Sequence, residues 1–202
     1  MNYEEIYHLV NLPECKILIG NSHYHCEIPI EKILTKNEFT HYQQLSTNHK
    51  KNQFKIIRKL RTASLGLVEI QYKDYGAPYL INEKTHISIS HKNNYVVFGS
   101  SPTKIGIDIE EISERINKIK TKFLNEKELN EFSDESDEIY TQLWAAKEAI
   151  YKTMIPPVSF KNDIKLSRNE NGEIIGKIFD SEKIMNLNFI NIKDYILCYL
   201  LL

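Results

Sequence analysis

The chain has 202 residues, with 26 lysines and arginines against 27 aspartates and glutamates and a formal net charge of −1. That length can build one large domain or two small ones with proper cores, and the absence of a basic excess argues against a nucleic-acid partner. Cys15, Cys26 and Cys198 are odd in number and widely scattered, which indicates neither a disulfide framework nor a zinc site.

The start, MNYEEIYHLV, is acidic and carries no basic-then-apolar leader pattern, so the chain reads as cytoplasmic. Lys16–Gly20 is a short apolar run that suits a strand. Ile28–Gln44 places Ile30, Ile33 and Leu34 between charges and reads as a helix, while His41–Lys51 lacks a periodic core face and reads as a loop or helix end. Gln53–Leu67 repeats Phe54, Ile57, Leu60 and Leu65 at near-helical spacing, with Lys55, Arg58, Lys59 and Arg61 between them. This predicts a helix with a basic flank, stopped near Gly66.

Val68–Tyr72 alternates as a strand and Lys73–Pro78 is a turn. Tyr79–Leu80 then leads through Asn82–Lys84 to the half-buried strand His86–Ser90. Tyr95–Gly99 and Lys104–Glu110 are two further strands, joined by Ser-Ser-Pro-Thr. Ile112, Ile116, Ile119 and Phe123 then recur at helical spacing, and Asn125-Glu126-Lys127-Glu128 is a capping box. Ser133–Glu138 is an acidic break. A helix runs from about Glu138 to Thr153 and is stopped by Pro156-Pro157.

Ile164–Leu166, Ile174–Phe179, Asn188–Ile192 and Tyr195–Leu202 are strands, the first two flanking a turn at Asn169–Gly172. The last run is too short for a membrane span of about 20 residues and reads as a buried strand. Short strands beside helices suit an α+β fold better than a regular βαβ repeat. Residues 1–100 and 101–202 have similar contents, with no residue-level repeat.

Two stretches carry the chemistry, Ile105–Glu110 (IGIDIE) and Leu143–Lys152 (LWAAKEAIYK). On a strand, Asp108 and Glu110 point one way and Ile105, Ile107 and Ile109 the other. On a helix, Trp144, Lys147, Glu148, Tyr151 and Lys152 share one patch. Two carboxylates on a strand with a third on a helix can hold a hard cation, and a lysine one turn further on suggests an anionic ligand such as phosphate. The plain alternatives are a polar edge-strand face for Asp108 and Glu110, and an exposed Glu148–Lys152 pair.

GIDIE followed by WxxKEAxxK, with Ile87–His91 (ISISH) upstream, resembles the 4′-phosphopantetheinyl transferases of the surfactin-synthetase-activator type. The resemblance runs from about Gln53 to Thr153. It implies two similar α/β subdomains related by a pseudo-twofold axis. The first, residues 1–100, contributes contacts to the coenzyme A phosphates. The second, residues 101–202, carries the magnesium and catalytic motifs. By resemblance Asp108, Glu110 and Glu148 hold Mg²⁺, and Lys152 binds the pyrophosphate and stabilises the leaving group.

Arg58, Ser90 and His91 would contact coenzyme A, and Glu128 would be the general base, although the capping box alone accounts for it. Lys147 is either a phosphate contact or a scaffold residue, and Trp144 is core packing. The family's Gly-Lys-Pro is here Gly76-Ala77-Pro78, so one cation is missing unless Lys73, Lys92 or Arg58 supplies it. The implied reaction is that of holo-[acyl-carrier-protein] synthases: transfer of 4′-phosphopantetheine from coenzyme A to a serine of an acyl, peptidyl or polyketide carrier protein. The chain would act as a monomer with no membrane partner. The rival readings are a metal-dependent phosphohydrolase and a non-catalytic binder of coenzyme A or carrier protein.

Overall fold

A computed structural model describes residues 6–21, 29–81, 84–154, 158–179 and 181–202. The start before Ile6, Cys26, Asn82 and the Pro156-Pro157 stop lie outside the described residues. The fold is α+β and divides into two compact units, Met1–Thr103 and Lys104–Leu202.

In the first unit, strands β1 (Ile6–Leu12), β2 (Cys15–Asn21), β5 (His86–Lys92) and β6 (Tyr95–Ser101) form an antiparallel sheet in the order β1-β2-β6-β5. Helices α1 (Lys36–Gln44) and α2 (Asn48–Leu65) precede a small hairpin of β3 (Ile70–Tyr72) and β4 (Pro78–Leu80). Thr35 and Glu38 form a capping box on α1, and Gly66, at φ 79°, ends α2 as expected. The core gathers Ile56, Ile57 and Leu60 of α2 with Leu18, Val96 and Phe98 of the sheet.

Two expectations change here. The helix expected over Ile28–Gln44 is a 3₁₀ turn at Ile30–Lys32 followed by α1. Helix α2 begins at Asn48, inside the run expected as a loop or helix end, and its basic flank is buried at Arg58, Lys59 and Arg61. Glu38 of α1 accounts for the two arginines. Its carboxylate accepts from Arg58 Nε and from Arg61 Nη2, each at 3.1 Å. Arg61 also donates to the carbonyls of Ile33 and Val68. A buried guanidinium needs such partners, and here they bind α1 to α2.

In the second unit, β7 (Ile105–Glu111) is followed by α3 (Glu114–Lys118), α4 (Lys120–Phe123), α5 (Glu126–Glu131) and the long α6 (Asp137–Thr153). Two sheets complete it. The first comprises β8 (Ile164–Arg168), β9 (Ile174–Ile178) and β10 (Met185–Asn186), in the order β10-β9-β8. The second comprises β11 (Asn188–Ile192) and β12 (Tyr195–Leu201), in the order β11-β12-β7. The closing apolar run is thus the central strand of its sheet. It pairs with β7 from Tyr195 opposite Glu111 to Leu201 opposite Ile105.

Helix α6 is buried on most of its circumference, from Tyr140 and Leu143 to Ala149 and Ile150. Ser136 caps it, so Asp137 and Glu138, expected in the acidic break, form its first turn and favour the positive helix end.

Candidate active site between strand β7 and helix α6

Gly106 explains how closely the helix approaches the strand. A Cβ at this position would lie 2.0 Å from the Ala149 carbonyl oxygen and 2.7 Å from Thr153 Cγ2. Only glycine lets the α6 backbone settle on β7 here.

That contact lays one stripe of α6 along the carboxylates of β7. Trp144, Glu148 and Lys152 are spaced by four and share a face. At one end Trp144 Nε1 donates to Glu110 Oε1 at 3.1 Å. At the other, Lys152 Nζ donates to Asp108 Oδ1 at 2.7 Å and to the Ile107 carbonyl at 2.9 Å. Glu148 lies between them. Its carboxyl is pushed up to about 7, first by burial and then by the negative charge of Asp108, with a smaller push from Glu110 and an opposing pull from Lys152.

The structure therefore brings Asp108, Glu110, Glu148 and Lys152 together in one unit. Lys152 pairs with Asp108 across to the strand, rather than with Glu148 along the helix. Trp144 is more than core filling: it packs edge-on against Phe123 and tilted against Phe160, and its indole N–H orients Glu110. Asp108 Oδ2 and Glu110 Oε2 are buried atoms without a hydrogen bond, while both residues are engaged through other atoms.

Among the described residues no three His, Cys, Asp or Glu side chains stand in an arrangement ready to hold a metal ion. The donor set is nonetheless chemically suited to one. Asp108 and Glu110 on β7 and Glu148 on α6 are three carboxylates, and burial followed by the charge of the other two raises Glu148 to about 7. Hard oxygen donors of this kind fit Mg²⁺.

Glu128 is on a different part of α6's surroundings. The capping box is present: Glu128 N donates to Asn125 Oδ1 at 3.1 Å, and Asn125 N donates to Glu128 Oε2 at 2.8 Å. The same carboxylate accepts from Leu166 N of β8 at 2.8 Å and from Lys147 Nζ at 2.8 Å to Oε1 and 2.9 Å to Oε2. Lys147 also donates to the carbonyls of Ile164, at 2.7 Å, and Phe160, at 3.2 Å. The Glu128 side chain is 2% exposed and that of Lys147 is 0%. Of the two places open to Lys147 from the sequence, this one is the scaffold.

The remaining candidates lie in the first unit. Arg58, expected to reach a phosphate, is buried. Besides Glu38 it donates to the Tyr72 hydroxyl at 3.3 Å, and its guanidinium lies 3.7 Å from the Phe54 ring centroid. Ser90 is buried on β5 and His91 beside it is exposed. In the Gly76-Ala77-Pro78 turn, Gly76 has φ 85°, and Lys73 N donates to the Ala77 carbonyl at 3.0 Å.

Sequence reading missed Gly106 and the Lys147–Glu128 pair. A glycine inside an otherwise apolar strand was the available signal for the first. The second joins residues 19 apart in the chain, and no local pattern announces it.

Residues 104–200 match the sequence model of the 4′-phosphopantetheinyl transferase superfamily. The matched stretch lies within the second unit, which holds all of this geometry. The chain is also 32% identical over 112 residues to the 4′-phosphopantetheinyl transferase gsp of Aneurinibacillus migulanus, an alignment covering 52% of this chain and 46% of that protein. The chain thus matches about half the length of this curated relative. No helix among the described residues is long and apolar enough to cross a membrane.

Proposed function

We propose that the protein transfers 4′-phosphopantetheine from coenzyme A to a serine hydroxyl of a carrier protein, with Mg²⁺. The observation that carries this reading is the convergence of Asp108, Glu110, Glu148 and Lys152 within the unit matched by the superfamily. Asp108, Glu110 and Glu148 would hold the cation, which, when bound, polarises the pyrophosphate and offsets charge on its oxygens.

The carrier serine oxygen forms a bond to the phosphorus that bears the pantetheine arm. The pyrophosphate P–O bond breaks, and adenosine 3′,5′-bisphosphate leaves. Lys152, 26% exposed and held by two bonds, is the cation suited to exchange Asp108 for the leaving phosphate. In the first unit, exposed His91 and its neighbour Ser90 are proposed contacts for coenzyme A.

Glu128 is reassigned. A general base must reach the incoming hydroxyl, and here both of its oxygens are buried and filled. Its proposed role is structural, and the serine proton passes to solvent water. Arg58 is likewise reassigned from phosphate binding to the buried Glu38 cluster.

The test is mass spectrometry of an apo carrier protein incubated with the enzyme, coenzyme A and Mg²⁺. The carrier should gain the mass of phosphopantetheine, and an unchanged carrier mass would refute the proposal.

A further inference from the structure

Taking that transferase reading as the frame, we propose that the buried Lys147–Glu128 pair is the positioning device of the site. It fixes the rotation and axial setting of α6, and so decides where Glu148 and Lys152 meet β7. Neither residue touches the reacting atoms.

The case begins with the number of elements the pair joins. Glu128 closes the N-terminus of α5 through Asn125 and takes the backbone N–H of Leu166 at β8. Lys147 projects from the middle of α6, directly before Glu148 in sequence. Its three N–H donors go to the Glu128 carboxylate and to the carbonyls of Ile164 and Phe160. One ammonium therefore ties α6 to α5, to the start of β8 and to the segment before it.

An apolar contact of the same volume could slide or roll by a fraction of a turn. A point charge with all three donors satisfied cannot, without leaving a buried partner exposed to no water. The glycine contact at Gly106 sets the distance between α6 and β7, and on that side the Lys152 and Trp144 bonds engage the strand's carboxylates. The Lys147 pair anchors the helix from the opposite side, through α5, β8 and the segment before β8.

Phe160 links the device to the site. Its carbonyl accepts from Lys147, and its ring packs at 5.4 Å on Trp144, whose indole N–H holds Glu110. Trp144 is the sole tryptophan of the chain, so its fluorescence reports this geometry without any reaction being run.

The experiment compares wild type with Glu128→Gln, Lys147→Met and the double variant. It reads thermal melting, Trp144 emission, and kcat and KM for coenzyme A with an apo carrier protein and Mg²⁺. Each single change leaves buried partners unsatisfied and lowers the melting temperature. The double variant removes both charges, and a glutamine amide can donate to a carbonyl that Lys147 vacates. It should therefore melt closer to wild type than Lys147→Met does.

A device that acts only through stability would recover its rate along with its melting temperature. A positioning device would not. We expect the double variant to keep a shifted emission and a kcat lowered about tenfold or more, with KM for coenzyme A within about twofold of wild type. Wild-type kcat or wild-type emission in the double variant overturns the proposal.

If the double variant does not fold, Glu128→Gln decides alone, because glutamine also serves in a capping box. A lowered kcat with shifted emission supports the proposal. An unmoved emission overturns it, and a rate loss with unmoved emission would return Glu128 to proton transfer. If wild type transfers nothing, the transferase reading fails, and emission and melting still decide whether the pair sets α6.

Discussion

Asp108 is buried between two kinds of partner, the Lys152 ammonium on one oxygen and the negative charges of Glu148 and Glu110 nearby. Asp108→Ala and Glu148→Ala should each lower transfer on the order of 10²-fold or more, the scale of losing one preorganised charge contact in a site. Glu110→Ala should be milder, since Trp144 already satisfies one of its oxygens. The check is kcat measured at several Mg²⁺ concentrations. Near-normal turnover in Asp108→Ala at modest Mg²⁺ would remove Asp108 from the site.

Glu148 gives a pH signature in the metal-free protein. Its folded-state pKa is raised from 4.5 to about 7, so the native state binds the proton more tightly than the unfolded chain. Its contribution to stability is therefore fully present below about 4.5 and is lost as the pH rises through about 7. Glu148→Gln should flatten the melting temperature across this window and raise it at pH 8 relative to wild type. Mg²⁺ should bind the wild type more tightly as the pH rises through the same range, because the cation displaces the proton. Both follow from melting curves recorded from pH 5 to 8 with and without Mg²⁺.

At the scale of elements, the seat of α6 on β7 depends on the missing side chain of Gly106. Gly106→Ala forces a methyl group against the Ala149 carbonyl, which belongs to helix backbone and cannot swing away. We expect a loss of about 1–3 kcal/mol or more in a denaturant titration, together with lower transfer. A second element-scale prediction concerns the turn before β4. If the missing lysine of the Gly76-Ala77-Pro78 turn is a lost phosphate contact, Ala77→Lys should lower KM for coenzyme A and leave kcat nearly unchanged. Unchanged constants would mean that another cation already serves.

Elements with strong local signals were legible from the sequence. The Asn125–Glu128 capping box, the end of α2 at Gly66, the motif helix and the β12 strand all depend on neighbours a few residues apart. The site stripe was legible too, since strand and helix periods alone put Asp108 with Glu110 and Glu148 with Lys152. What escaped depends on distant partners. Arg58 and Arg61 read only as parts of a basic helix flank, because Glu38, which pairs with both, lies 20 and 23 residues away. Strand β1, just after the acidic Glu4-Glu5 pair, was passed over, because its pairing with β2 is what makes it a strand.

At the scale of the whole molecule, the two units have separate means of support. In the first, a buried Glu38–Arg58–Arg61 cluster joins α1 to α2 beside the four-stranded sheet. In the second, the Lys147–Glu128 pair and Gly106 seat α6 between β8 and β7. Only the second unit is covered by the superfamily match, and it contains the whole carboxylate and lysine constellation.

The central claim is group transfer to a protein serine, and the most direct measurement follows both products of one reaction. Wild type, coenzyme A, Mg²⁺ and an apo carrier protein are incubated, and intact-mass spectrometry of the carrier is paired with detection of adenosine 3′,5′-bisphosphate. The account predicts a carrier heavier by one phosphopantetheine, a matching amount of the bisphosphate, and neither product in Asp108→Ala. Release of the bisphosphate without any carrier present, or an unmodified carrier beside consumed coenzyme A, would contradict it.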